Sequence, residues 1–548
     1  MRSFHSKFFS RLTPYLKGNF RHDLVSGVVV GLVALPLAIA FAMASGAKPE
    51  QGLYSSIFAG GLVAFLSGSR YQITGPTGAF VVLLLGIVNQ YGISGLLTAG
   101  FMAGIMLVLL GVFRIGATIK FIPYPVTVGF TAGIGTIIFF GQIQDFFGLQ
   151  FSHKPHGFVD IIFSLTQGFV HGINLKTALV GLTTLSIFWI WPKINKKLPS
   201  TPLAMLVGTL VSLPFGESIK RIGFVPTSLP TFEFIHLSFA TIQHLFPAAL
   251  AIAMLGAIES LLSSVVADGM TGTKHNSNKE LIAQGIGNIV APLLGGIPVT
   301  GAIARTAVNI RNGARSRVSG VIHSITLLVM MLYFANYARF IPLASLAAIL
   351  MVVSYQMSEF HHLVRLFRSP FEDIAVLVTT YLLTVFLDLT VAVGAGFGLA
   401  ALLFIKRASE INVVSLEDNT KTGSEAALRL KELIKDYPQI SLYEINGPMF
   451  FGAASFLEES IEHESGEILI LTLKNVPVID ATALHALDLI VEKIQNNKGQ
   501  VILVSLQPHV KEVLESHGLL DRIGGNKHTA THIDQAINQA IHLLKPSV

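Results

Sequence analysis

Gly295-Gly296-Ile297-Pro298-Val299-Thr300-Gly301-Ala302 breaks an apolar stretch of this chain with glycines, a proline and a threonine, and it has an echo. Thr74-Gly75-Pro76-Thr77-Gly78-Ala79 opens another short apolar run in the same way, and Thr77-Gly78-Ala79 matches Thr300-Gly301-Ala302 at an offset of 223 residues. Each break follows the glycine-bearing end of an earlier apolar run, Phe65-Leu66-Ser67-Gly68 in one case and Leu293-Leu294-Gly295-Gly296 in the other. Glycine and proline at such a place stop one helix and start the next. The two breaks therefore decide the reading of the chain: two halves, each with an interrupted helix at the corresponding position.

Composition names the solvent. Of 548 residues, 51% are hydrophobic and 13% charged, and the mean hydropathy is +0.63, too apolar for a soluble enzyme of this length. Cysteine is absent, which excludes disulfides, thiolate metal sites and cysteine nucleophiles. Fourteen apolar runs lie between residues 24 and 405, each able to cross or half cross a hydrocarbon core of about 30 Å. The interrupted pair are the third run, near 76–90, and the tenth, near 300–310. They stand seven apart, giving repeat one over about 24–215 and repeat two over about 242–405. An odd spacing makes the two repeats inverted relative to each other.

Charge marks the domain boundary. Before Ala408 there are 27 Lys and Arg against 13 Asp and Glu; from Ala408 onward there are 11 against 19. A basic membrane part, 24–407, thus precedes an acidic soluble appendage. An even number of runs, a basic segment 1–23 and Lys406-Arg407 predict cytoplasmic termini for a multi-pass protein of the cell inner (plasma) membrane. Segment 1–23 lacks the pattern of a cleaved signal peptide. Beyond a polar linker at 408–437, strand patterns at 440–446, 467–474 and 500–505 enclose a helical pattern at 483–491, which predicts a small α/β domain over 438–548.

Half-helices that begin near the membrane midplane aim unpaired N–H groups and positive dipole ends into a shared pocket, which suits an anion. The Thr77 and Thr300 hydroxyls can donate to it, and Gly78 and Gly301 permit close approach to the backbone. Arg305, one turn beyond Gly301, can add a full positive charge; the alternative is a topogenic arginine at a helix end, since Arg311, Arg315 and Arg317 follow closely. In Ala251–Val266 the only charge is Glu259. A carboxylate at a helix centre costs about 2.5–3.5 kcal/mol, so it marks an ion or proton pathway. Ser263, one turn on, shares its face. No serine-histidine-aspartate spacing and no phosphate-binding lysine loop is apparent, and Gly394-Ala-Gly396-Phe-Gly398 reads as helix packing. The chain is therefore expected to be no enzyme and to have no cofactor, no metal site and no nucleic-acid partner.

The motifs Pro36-Leu-Ala-Ile-Ala-Phe-Ala42, Gln51-Gly-Leu-Tyr-Ser55 and Gly68-Ser-Arg-Tyr-Gln-Ile-Thr-Gly-Pro-Thr77, with the block Glu259 to Arg317, resemble the SulP (SLC26) family of anion transporters. Asp480-Ala481-Thr482-Ala483 is similar to the signature turn of that family's C-terminal STAS domain. The resemblance implies a polytopic α-helical membrane protein of fourteen segments in seven-plus-seven inverted repeats. It also implies core and gate domains, a cytoplasmic α/β STAS domain able to meet a protein partner, and a homodimer. Carried over by position, the substrate site comprises Leu37, Phe41, Thr77, Gly78, Gly301, Ala304 and Arg305, and Glu259 with Ser263 forms the coupling pair. Sodium-coupled members carry aspartate and threonine where this chain has Glu259 and Ser263, which favours protons over sodium. Met254–Leu262 and Asp268–His275 look most similar to the bacterial dicarboxylic acid transporter, placing C4-dicarboxylates beside sulfate and bicarbonate. Ala481 stands where STAS proteins of the anti-sigma-factor antagonist type carry a phosphorylatable serine; Thr482 follows it.

These readings converge on a secondary active transporter of a small anion in the lipid bilayer, coupled to protons and working by alternating access with an elevator-like core movement. Its rivals are a sodium-coupled bicarbonate transporter or exchanger of the same family, a nucleobase permease of the same fold, a membrane-tethered STAS signalling protein, and a passive anion channel.

Overall fold

Helix follows helix from residue 20 to 409, and the fourteen apolar runs all fall on them. The computed structural model describes residues 18–116, 123–153, 155, 157–195, 198–235, 237–387, 389–409, 412–415, 436–450 and 467–544. Most of the N-terminal segment 1–23 and of the linker 408–437 lies outside the described residues.

The first half opens with α1 (Phe20–Ala44) and α2, which winds as an α-helix over Pro49–Tyr54, as a π-helix over Ser55–Ala59 and again as an α-helix over Gly60–Leu66. A two-residue strand β1 (Thr74–Gly75) leads into α3 (Gly78–Val112). α3 carries two of the apolar runs and breaks between them at Gly92, whose φ of 70° suits glycine alone. Then come α4 (Tyr124–Phe147), α5 (Phe158–His171), α6 (Leu175–Ile194) and α7 (Ser200–Ser212). The second half contains α8 (Phe239–Thr271), α9 (Ser277–Leu293), β2 (Thr300–Gly301) and α10 (Ile303–Arg311). It continues through α11 (Val318–Ala338), α12 (Leu343–Met357), α13 (Phe360–Leu366), α14 (Phe371–Phe386) and α15 (Leu389–Ser409).

Among the described residues, seven helical stretches are long and apolar enough to cross a membrane. α7, with 13 residues, and α10, with 9, are too short to span it by themselves. The short helices α5 and α13 were not foreseen. α5 buries Ser164, Leu165 and Gly168 and exposes Val159, Phe163 and Val170, a one-sided pattern that a search for continuous apolar runs passes over.

The membrane helices pack as two bundles. In one, α3 lies on α9 and α8, and α1 lies on α11; in the other, α4 lies on α12 and α14, and α6 on α7 and α12. Glycines set these crossings. A Cβ on Gly104 would meet the α9 backbone at Ile289 N at 2.7 Å, and one on Gly285 would meet Gly104 O at 2.6 Å, so α3 and α9 touch backbone to backbone. Gly129 meets α14 in the second bundle in the same way, at Leu377 O, 2.6 Å.

β1 and β2 pair antiparallel, with Thr74 opposite Gly301 and Gly75 opposite Thr300. A two-fold axis between these pairs carries Thr74 onto Thr300 and Gly75 onto Gly301, both 226 residues apart. The inverted repeats therefore meet at their two Thr-Gly dipeptides, and the offset differs by three from the 223 read along the sequence.

The C-terminal unit is a five-stranded sheet in the order β3 (Asn412–Ser415), β4 (Ile440–Asn446), β5 (Ile468–Asn475), β6 (Gln500–Val504), β7 (Thr529–Ala530), with β3 antiparallel and the others parallel. Residues alternate between its faces as strand geometry requires. Leu469, Leu471 and Leu503 pack on α16 (Ala481–Asn496), α17 (Pro508–Ser516) and α18 (Leu519–Ile523). Ile470, Ile502 and Val504 pack on α19 (Ile533–Leu544) on the other side. Asp480 caps α16 by accepting from Ala483 N at 2.8 Å.

Candidate functional site

The paired strands bring two helix starts together. Thr77 is the N-cap of α3 and Ala302 the N-cap of α10, both extended, and no side chain caps either helix. Their first-turn N–H groups and positive dipole ends are thus open to a ligand. Beside them lies a cavity of about 650 Å³. Its floor is made by Thr77, Gly78, Ala302, Ala304, Arg305 and Glu259, and its walls by Val29, Val33, Leu37 and Phe41 of α1 facing Phe188 of α6 and Val353 and Met357 of α12. It therefore runs between the two bundles. Its rim is formed by Pro192 and Pro199–Thr201 at the α6–α7 turn, Arg311 and Asn312 at the end of α10, and Gln356 at the end of α12. Helices alternate in direction along the chain, so every rim element falls on the membrane face at which α1 begins.

Arg305 decides the chemistry of the floor. It is only 2% exposed, and Nη2 donates to Pro76 O while Nη1 has no partner. Glu259 is 8% exposed. Neither group belongs to an ion pair among the described residues. A buried guanidinium and a buried carboxyl share one cavity without touching, and a buried cation left without a countercharge is costly. An anion between the helix tips could supply that charge. Thr77 Oγ1 lines the same cavity and stands beside the Glu259 carboxyl, to which it can donate.

Leu37, Phe41, Thr77, Gly78, Ala304, Arg305 and Glu259 are thus brought together, whereas Thr300, Gly301 and Ser263 do not line the cavity. The reason lies in the strand. Two residues separate Gly75 from α3 but only Ala302 separates Gly301 from α10, so the Thr-Gly-Ala of repeat two falls in β2 where that of repeat one opens a helix. Thr300 is fully buried against α8, its Oγ1 at 2.8 Å from Ser260 Oγ, and Gly301 N donates to Ser260 Oγ at 3.1 Å. Ser263 Oγ donates to Thr306 Oγ1 of α10 at 3.2 Å; it fastens two helices together instead of facing Glu259.

Sequence reasoning missed Gly75 as a positioning residue. A Cβ there would lie 2.6 Å from Arg305 Nη1 and 2.9 Å from the unpartnered Ser56 Oγ. Both are tips of side chains that can swing aside, so the fold should tolerate alanine while the guanidinium shifts. Gly75→Ala is expected to raise the KM for the transported anion about tenfold, less than the roughly 100-fold that a misplacement of about 1 Å can cost. Its melting temperature should fall by less than about 3 °C. Uptake kinetics and a thermal shift assay check the two halves.

A helical membrane fold with inverted halves, a cavity between two bundles and an unpaired buried arginine at crossed helix tips defines a membrane anion transporter. Residues 20–380 match the sulfate permease family and residues 433–536 the STAS domain. The chain belongs to the sulfate permease family. It is 44% identical, over 96% of its length and 99% of the relative's, to YvdB of Bacillus subtilis (strain 168), provisionally named a sulfate transporter. It is 32% identical to the bicarbonate transporter BicA of Picosynechococcus sp., over 93% of each chain. Among solved structures, the transmembrane domain of a cyanobacterial bicarbonate transporter BicA matches with a TM-score of 0.64 and 34% identity, over 69% of this chain and 98% of that one. The murine solute carrier 26 family member A9 shares the fold at a TM-score of 0.83 and 19% identity, over 96% of this chain and 92% of that one.

Proposed function

We propose that the protein is a secondary active transporter that carries a small oxyanion across the membrane together with protons. The observation that carries this reading is the buried, unpaired Arg305 guanidinium beside two uncapped helix starts, with Glu259 in the same cavity and no ion pair between them. The anion sits between the tips of α3 and α10, and Glu259 takes up and releases the proton. The bundle of α1–α3 and α8–α11 moves against that of α4, α6, α7 and α12, exposing the site to each side in turn. Sulfate and bicarbonate are the first substrates to test, since relatives are named for them, and a C4-dicarboxylate is the third.

Sidedness supports an inward-open state. The face carrying the cavity rim also holds Arg70, Arg114, Lys193, Lys274, Arg315 and Arg365 at its helix ends and turns. By the positive-inside tendency it is the cytoplasmic face of the plasma membrane and holds both termini. A homodimer and a soluble partner for the STAS unit belong to the same proposal through the family resemblance. The deciding experiment is uptake of radiolabelled sulfate, bicarbonate, succinate and aspartate into proteoliposomes under an imposed proton gradient, and separately a sodium gradient. Accumulation of one anion driven by the proton gradient is expected. Accumulation driven by sodium alone would shift the coupling to the sodium alternative, and downhill flux that neither gradient can reverse would make the protein a channel.

A further inference from the structure

The wall between Arg305 and the rim carries a second charge that the transport reading leaves unused. Ala304, Val308 and Arg311 recur at i, i+4 and i+7 on α10, one face of the helix, and all three line the cavity. That face runs from floor to rim. At a rise of 1.5 Å per residue, Arg311 stands roughly 9 Å along the axis beyond Arg305. Unlike Arg305, it is exposed, and among the described residues it forms no ion pair. Across the rim stand Ser200, Thr201 and Gln356, neutral groups that can hydrogen-bond, and among the described residues the only carboxylate on the cavity lining is Glu259 at the floor. Between the arginines the walls are apolar at Val29, Val33, Val308, Phe188 and Val353.

The geometry points to a second anion station at Arg311, resting on the transport reading above, where a small oxyanion is captured before it reaches Arg305 and held again as it leaves. The station acts on the rate of capture from this face and leaves the floor untouched. The two arginines differ in how salt affects them. An exposed charge is screened, with a Debye length of about 10 Å at 0.1 M and about 3 Å at 1 M, whereas a buried one is screened far less.

The test uses the full-length protein in vesicles of purely zwitterionic lipid, with radiolabelled sulfate and, in parallel, bicarbonate as probes. Initial rates are measured at low (about 20 mM) and high (about 500 mM) ionic strength of an inert salt, a range over which steering by a single charge is expected to fade. Arg311→Gln should raise KM about fivefold at low ionic strength with kcat unchanged within about twofold, and the gap should close below about twofold at high ionic strength, as for steering charges. Arg311→Lys should recover most of the loss. A KM equal to wild type at low ionic strength, or a defect undiminished by salt, overturns the station. So does a defect that appears only when anionic lipid is added, since the arginine would then serve a lipid headgroup. Full transport in Arg305→Gln would remove the underlying reading instead, so the two failures are distinguishable.

Discussion

Arg305→Gln is expected to lower anion transport by two to three orders of magnitude while the protein still folds and inserts. Glutamine keeps an N–H donor at this position but removes the charge of the guanidinium, whose Nη2 donates to Pro76 O. Losing one partner of a buried, hydrogen-bonded charge pair costs roughly 2–5 kcal/mol, which is about 30-fold to several thousand-fold in affinity at 1.4 kcal/mol per decade. The fold should gain if anything, because an unpaired buried cation is exchanged for a neutral amide. Arg305→Lys should recover only part of the loss, since a lysine ammonium cannot both reach Pro76 and present a planar fork to an oxyanion. Uptake kinetics with the same probe, alongside size-exclusion profiles, measure this; near-normal transport in the glutamine variant would contradict the placement of the anion.

Glu259→Gln should abolish proton-driven accumulation while sparing binding of the anion and its exchange across the membrane. The amide copies the shape of the protonated carboxyl and removes the proton that has to be carried. The side chain is 8% exposed and pairs with no cation among the described residues, so neutralising it does not unfasten the fold. At saturating anion, accumulation against a gradient should fall at least about 50-fold, to background, in line with loss of an essential proton-transfer group. Exchange of labelled for unlabelled anion at equal pH should continue within about threefold of wild type, since uniform binding is untouched. Undiminished uphill uptake driven by protons would falsify the coupling role of Glu259.

Much of this was legible along the chain, because a bilayer imposes one strong requirement on every segment that crosses it. The apolar runs located the helices, and the Gly and Pro breaks before Gly78 and near Gly301 located the crossing. The acidic tail and its strand patterns located the sheet at 440–504. What stayed hidden depends on neighbours rather than on periodicity. Helical spacing correctly puts Ser263 one turn from Glu259, but one face can serve two surroundings, and Ser263 lies under Thr306 while Glu259 meets the cavity. A three-residue identity aligned Thr77 with Thr300, while strand pairing aligns Thr74 with Thr300. Gly75 could not be assigned a role before Arg305 was seen packed over it. Arg311 read as one arginine in a topogenic cluster, because no pattern along the chain tells an arginine on a cavity wall from one beside lipid.

The most direct measurement is a structure of the full-length protein determined with the transported anion at saturating concentration; if that anion is sulfate, selenate would mark it through anomalous scattering. Anion density is expected between the tips of α3 and α10, within hydrogen-bonding distance of the Arg305 guanidinium and Thr77 Oγ1, and it should vanish in Arg305→Gln. Density confined to another part of the molecule, or a peak at this floor that survives loss of the guanidinium with unchanged occupancy, would contradict the central claim.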